Sequence, residues 1–143
     1  GDAWPLVVLT APGQDDRLRT LGEAAAATGG GRLPPLPLAD ALSLLATARA
    51  LVSVDGGIMH AGVALRVPTL ALFGPTDPEA WFPYAGGGPF RVLATRPACH
   101  PCDRHTCPEF ICLPELDPQA VAIRLRELLA GAAAGGEDSA RGT

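Results

Sequence analysis

Short apolar runs alternate with helix-spaced segments along the whole chain, and this alternation restricts the fold more than any other feature. "PLVVLT" (residues 5–10), "ALVSV" (50–54), "TLALFG" (69–74) and "FRVLAT" (90–95) are strand-like, with little polar alternation. Runs of that kind suit strands covered on both faces, as in a parallel sheet. Between them, Leu18, Leu21 and Ala25 share one face of a helix that starts near Asp15 and stops at Thr28–Gly31. Leu38, Leu42 and Leu45 form the stripe of a helix over Ala39–Arg49. A short helix is predicted over Gly57–Leu65, and a last one carries Val121, Leu125 and Leu128. The prolines of "RLPPLPL" forbid a helix there and keep that segment extended. The fold class expected is α/β, a parallel sheet with helices on both faces.

With 143 residues, 48% hydrophobic and 18% charged, the chain has material for one folded domain and no more. The domain is expected over residues 1–131, with a Cys-rich loop at 96–116 and a small, polar, disordered tail over 132–143. The net charge is −4, and the eleven basic residues are arginines scattered without a patch, so no nucleic-acid partner is expected. Arg66, Arg91 and Arg96 could reach a charged acceptor, although surface arginines more often serve only solvation. With no lysine present, the chain cannot use a lysine amine in catalysis. No stretch is long and apolar enough to span a bilayer and no signal peptide opens the chain, so a cytoplasmic location is expected. A strand-like run begins almost directly after Gly1, which suggests an N-terminally incomplete domain.

The richest local pattern is "LVSVDGGIMHAGVALRVPTLALFGPTDP", Leu51 to Pro78. In an open parallel sheet, ligands bind beyond the carboxyl ends of the strands. Asp55, Gly56 and Gly57 fall at such an end, before a helix. Two glycines allow a sharp turn and a close ligand approach, and the helix start offers N–H groups to phosphate. Asp55 would repel a phosphate in contact, so it either accepts hydrogen bonds from sugar hydroxyls or caps the helix. His60 either donates to a phosphate or sugar oxygen or is a packed core residue. Thr76 and Asp77 either touch a ligand or start the turn around Pro78.

Cys99, Cys102, Cys107 and Cys112 follow a C-x2-C-x4-C-x4-C spacing. Four thiolates can close a tetrahedral structural zinc site, with His100 and His105 as alternates for one ligand. Two disulfides and four reduced thiols packed in a loop are the rival states.

The stretch Ala50–Pro78 resembles the signature of glycosyltransferase family 9, the ADP-heptose:lipopolysaccharide heptosyltransferases. The shared elements are Asp-(Ser/Thr/Gly)-Gly-x-x-His, an Ala-rich helix, a proline and Phe/Tyr-Gly-Pro-Thr, in that order. "LPPLPLADALSLLATA" and "LDPQAVAIRLRELL" resemble the flanking segments, so the likeness extends over residues 5–130. It implies the C-terminal, Rossmann-like half of a GT-B glycosyltransferase, inverting and needing no metal for catalysis. Asp55 would then hold donor-sugar hydroxyls, and Gly56 and Gly57 would face the diphosphate, with His60 and Thr76 beside them. Leu36 would line the adenine pocket, and Asp15 or Asp16 would meet the ribose. The implied partners are a nucleotide-sugar donor of the ADP-heptose type and an N-terminal acceptor domain, the acceptor bringing the protein to the inner membrane peripherally.

Some family features are absent: the His-Pro-Gly strand end, a lysine and tryptophan near the donor phosphates, and the acceptor domain with its general base. The chain is therefore expected to bind a donor without transferring it, and none of its residues is assigned a catalytic role. Gly56 also stands where Ser or Thr is common, which removes a hydroxyl. The alternative is a non-catalytic nucleotide-binding or zinc-knuckle interaction module.

Overall fold

The computed structural model describes residues 4–14, 18–104 and 106–138. They fall into two units, Gly1–Leu44 and Leu45–Thr143. In the first, β1 (Val7–Val8) pairs in parallel with β2 (Gly31–Arg32), joined through α1 (Arg19–Ala26). The Thr28 hydroxyl ties the two together by donating to Ala25 O at 2.7 Å and accepting from Leu6 N at 3.0 Å. Gly30 has no room for a side chain, since a Cβ there would lie 1.9 Å from Leu6 O.

This strand is shorter and more open than the expected buried run over residues 5–10. Only Val8 is buried, while Leu6 and Val7 are exposed. The ladder closes with Leu33 N donating to Val8 O, after which Pro34, Pro35 and Pro37 supply no backbone N–H. The proline segment is extended as expected and leads into α2 (Leu38–Leu45). That helix ends four residues before the predicted Arg49, because the chain must extend into the next strand, where Leu51 N bonds Pro68 O.

In the second unit β3 (Leu51–Val54), β4 (Thr69–Phe73) and β5 (Phe90–Ala94) form a parallel sheet in the order β3-β4-β5. Leu51 pairs with Thr69, and Thr69 with Phe90. On β4, Thr69, Ala71 and Phe73 are buried on one face and Leu70 on the other, so the central strand is covered on both sides as expected. β3 departs from that expectation: it is an edge strand of this sheet, and Val52 and Val54 are exposed.

The crossover α3 (Gly57–Ala64) packs on β3 and β4. It sits close because residue 62 is glycine: a Cβ there would lie 2.6 Å from Leu51 Cδ2 and 2.9 Å from Thr69 Oγ1. Met59 on this helix, with Ala71, Phe73, Phe82 and Phe90, forms the core. Phe73 and Phe82 meet edge to face at 6.3 Å.

Two helical features differ from the sequence reading. The Gly/Pro-rich loop after β4 contains a one-turn helix, α4 (Pro78–Trp81), with Pro78 in its first turn and Asp77 as N-cap. The last helix, α5 (Pro118–Asp138), packs on β4 and β5 and runs on through residues expected to be a disordered tail. Ala132–Ala134 are strong helix formers and sustain it past Gly131. Residues 139–143 lie outside the described ones.

Candidate functional site

β3 and β4 run parallel, so their carboxyl ends emerge on the same side, and the two quoted turns lie next to each other there. Asp55 follows β3 directly, its N–H donating to Leu72 O at 3.2 Å. Thr76 follows β4 after the Gly74–Pro75 step. The Thr76 hydroxyl donates to Asp55 Oδ2 at 2.7 Å, and both residues are half-buried. One carboxylate oxygen, Oδ2, is thereby fixed.

This geometry removes the capping reading of Asp55. The N-cap of α3 is Gly56, and no side chain caps the helix. The first turn instead closes through backbone, with Met59 N and His60 N both directed at Gly56 O. Gly56 and Gly57 are exposed, so the helix entrance presents backbone N–H groups without a covering side chain. The choice for Asp77 falls the other way: its Oδ1 accepts from Glu79 N at 2.9 Å, so it is a structural cap.

His60 is half-buried, and its Nδ1 lies 3.2 Å from the Tyr84 hydroxyl, with the rings edge to face at 5.9 Å. Tyr84 in turn stacks edge to face on buried Phe82 at 5.2 Å. Sequence reasoning missed Tyr84. The only available signal was that it is the chain's single tyrosine, in the glycine-rich loop "PYAGGGP".

Leu36 is half-buried in the extended segment before α2, within the first unit. Asp15, Asp16 and His105 lie outside the described residues. Arg96 reaches Glu79 at 3.7 Å in an exposed pair, and Arg91 Nη1 donates to Phe90 O at 2.8 Å. The thiols of Cys99, Cys102, Cys107 and Cys112 are free, the first exposed and the last buried. Among the described residues no group of three or more His, Cys, Asp or Glu side chains is gathered to hold a metal ion. No described helix is long and apolar enough to cross a membrane.

A parallel α/β unit with an acid, two glycines and a helix entrance at adjoining strand ends defines the Rossmann-like class of domain. Within that class, the chain belongs to glycosyltransferase family 9 (heptosyltransferase), whose sequence model matches residues 5–110. Over 113 residues it is 39% identical to lipopolysaccharide heptosyltransferase 1 of Pseudomonas aeruginosa, an alignment covering 68% of this chain and 31% of the relative. It is 38% identical to lipopolysaccharide heptosyltransferase 1 of Escherichia coli K12 over 68 residues, 48% of this chain and 21% of the relative. The solved structure of E. coli heptosyltransferase WaaC with ADP superposes with a TM-score of 0.61 at 28% identity, covering 85% of this chain and 32% of that one. The chain thus spans about a third of the length of these proteins.

Proposed function

We propose that this chain is the donor-binding part of an inverting glycosyltransferase that takes a sugar from a nucleoside-diphosphate sugar of the ADP-heptose type. The acceptor in this reading is a lipopolysaccharide-core or related glycan. The observation that carries it is the Thr76–Asp55 hydrogen bond beside the uncapped Gly56–Gly57 helix entrance, in a family member similar to E. coli heptosyltransferase WaaC with ADP.

Each group has a task that its chemistry suits. The diphosphate lies at the start of α3, where backbone N–H groups and the positive end of the helix dipole meet its charge. Asp55 Oδ1 accepts from a hydroxyl of the donor sugar while Thr76 holds Oδ2 still. During transfer the bond between sugar and diphosphate breaks, and negative charge grows on the leaving phosphate. N–H donors already aimed there stabilise that charge without reorganising. His60 adds a donor from its Nε2 when the Tyr84 hydroxyl donates to Nδ1.

These residues bind and orient the donor. The general base and the acceptor site are assigned to the part of the polypeptide that this chain does not span. The protein acts in the cytoplasm, where nucleotide sugars are available, and meets the membrane only through its acceptor.

Calorimetric titration with ADP and with UDP tests the reading. ADP is expected to bind and UDP to bind more weakly, as suits a donor of the ADP-heptose type. Failure of both nucleotides to bind would overturn it.

A further inference from the structure

We propose that Cys99, Cys102, Cys107 and Cys112 hold one thiolate-bound transition-metal ion, zinc being the ion that four sulfurs favour, and that it fixes the loop carrying Thr76. The metal assignment stands by itself; only its consequence for binding rests on the donor-site reading above.

All four sulfur-bearing residues and His100 line one largely enclosed cavity of about 30 Å³. A space of that size holds a water or an ion and is far too small for a nucleotide. Phe110 and Pro97 contribute to its wall. Four thiols have no evident task in a small, mostly apolar cavity, whereas a tetrahedral S4 set is a familiar seat for zinc. Asp103 sits in the left-handed region at φ 51°, so the chain reverses just after Cys102. Cys107 and Cys112, which follow that reversal in sequence, line the same cavity as the first two cysteines.

In this structure the four thiols are not gathered on one point. Closing the site draws exposed Cys99 inward toward buried Cys112, in the way that metal loops complete their folding on the ion. The thiol protons displaced by the metal pass to the buffer.

The consequence for the donor site follows from how the loop is anchored. Cys102 N and Asp103 N both donate to Pro75 O, at 3.0 and 3.1 Å. His100 Nε2 lies 3.2 Å from Thr76 O, which occupies that nitrogen and leaves the four sulfurs as the ligand set. Thr95 Oγ1 donates to Cys112 O. The loop also lies hard against Gly74, where an added Cβ would come within 3.0 Å of Leu113 Cγ and 3.6 Å of Cys112 Sγ. The cysteine loop therefore grips Gly74–Pro75–Thr76, and Thr76 grips Asp55.

The test is native mass spectrometry and elemental analysis of the full chain purified with reductant and added zinc. One metal per chain is expected, with a thiolate-to-metal charge-transfer absorption after replacement by cobalt. Cys107→Ser is expected to lose the metal. Because a loop variant can misfold, exposed Cys99→Ser is the second variant and should lose it with the fold retained by circular dichroism. Chelation should weaken binding of an ADP-sugar by about tenfold, the loss expected when a hydrogen bond to a charged group is disrupted. A metal-free chain with four alkylatable thiols, or one with two disulfides, would overturn the proposal. Undiminished binding of the ADP-sugar after chelation would overturn the link to Thr76. One metal in a chain that never binds ADP would uphold the site and overturn the donor reading instead.

Discussion

Thr76 and Asp55 are 21 residues apart in sequence and joined by a 2.7 Å hydrogen bond, hydroxyl to carboxylate, across the ends of two parallel strands. The bond fixes one Asp55 oxygen, and in the proposed binding mode the other accepts from the donor sugar. Thr76→Val keeps the shape and removes the donor. It is expected to weaken binding of an ADP-sugar about tenfold, as for a lost hydrogen bond to a charged group. Binding of ADP alone should change little, because the proposed binding mode puts Asp55 on the sugar side. Thr76→Ser should restore the sugar-dependent part, and parallel calorimetric titrations read all three.

Asp55→Asn keeps the size and can still pair with Thr76, but removes the charge that makes the acceptor strong. ADP and the ADP-sugar should then bind about equally, which competition between the two ligands measures directly.

Tyr84→Phe removes the hydroxyl that faces His60 Nδ1. The imidazole loses the bond that selects its tautomer, so nitrogen chemical shifts of His60 should move from mainly Nε2–H toward a mixture. Affinity for ADP is expected to fall about threefold to tenfold, within the worth of an ordinary hydrogen bond. The Phe82 contact survives in this variant, and thermal stability should be nearly unchanged.

Gly62→Ala is expected to destabilise the domain by about 1–3 kcal/mol through overpacking. Its new methyl would meet Leu51 Cδ2 and Thr69 Oγ1. Denaturant titration should show a lower midpoint at an unchanged slope. Leu65→Ala, at the exposed position that ends α3, is the control and should cost less.

Much of this was legible in the residues. β4 and its neighbours were readable because apolar runs bounded by Gly and Pro have few alternatives. The site was readable because Asp55, the two glycines and Thr76 all lie at strand ends, and ligands favour those places. What sequence left open was pairing. Whether Asp55 capped a helix, or Asp77 touched a ligand, depended on which hydrogen bond each carboxylate made, and periodicity carries no information on that. Tyr84 was invisible because its partner lies 24 residues away, through a loop with no regular spacing. The exposed faces of Val52 and Val54 were missed because an apolar run reads as buried whatever lies beside it. The helix through Ala132–Ala134 was missed because small residues between glycines look like a tail, although alanine favours helix.

The central claim is that the diphosphate of a sugar nucleotide sits on the Gly56–Gly57 turn. Titrating ADP into the isotope-labelled chain and following backbone amide shifts tests it most directly. The largest shifts are predicted at Gly56, Gly57 and Ile58, with the His60 side chain moving at the same ligand concentration. Saturable ADP binding that leaves those amides unmoved would contradict the account.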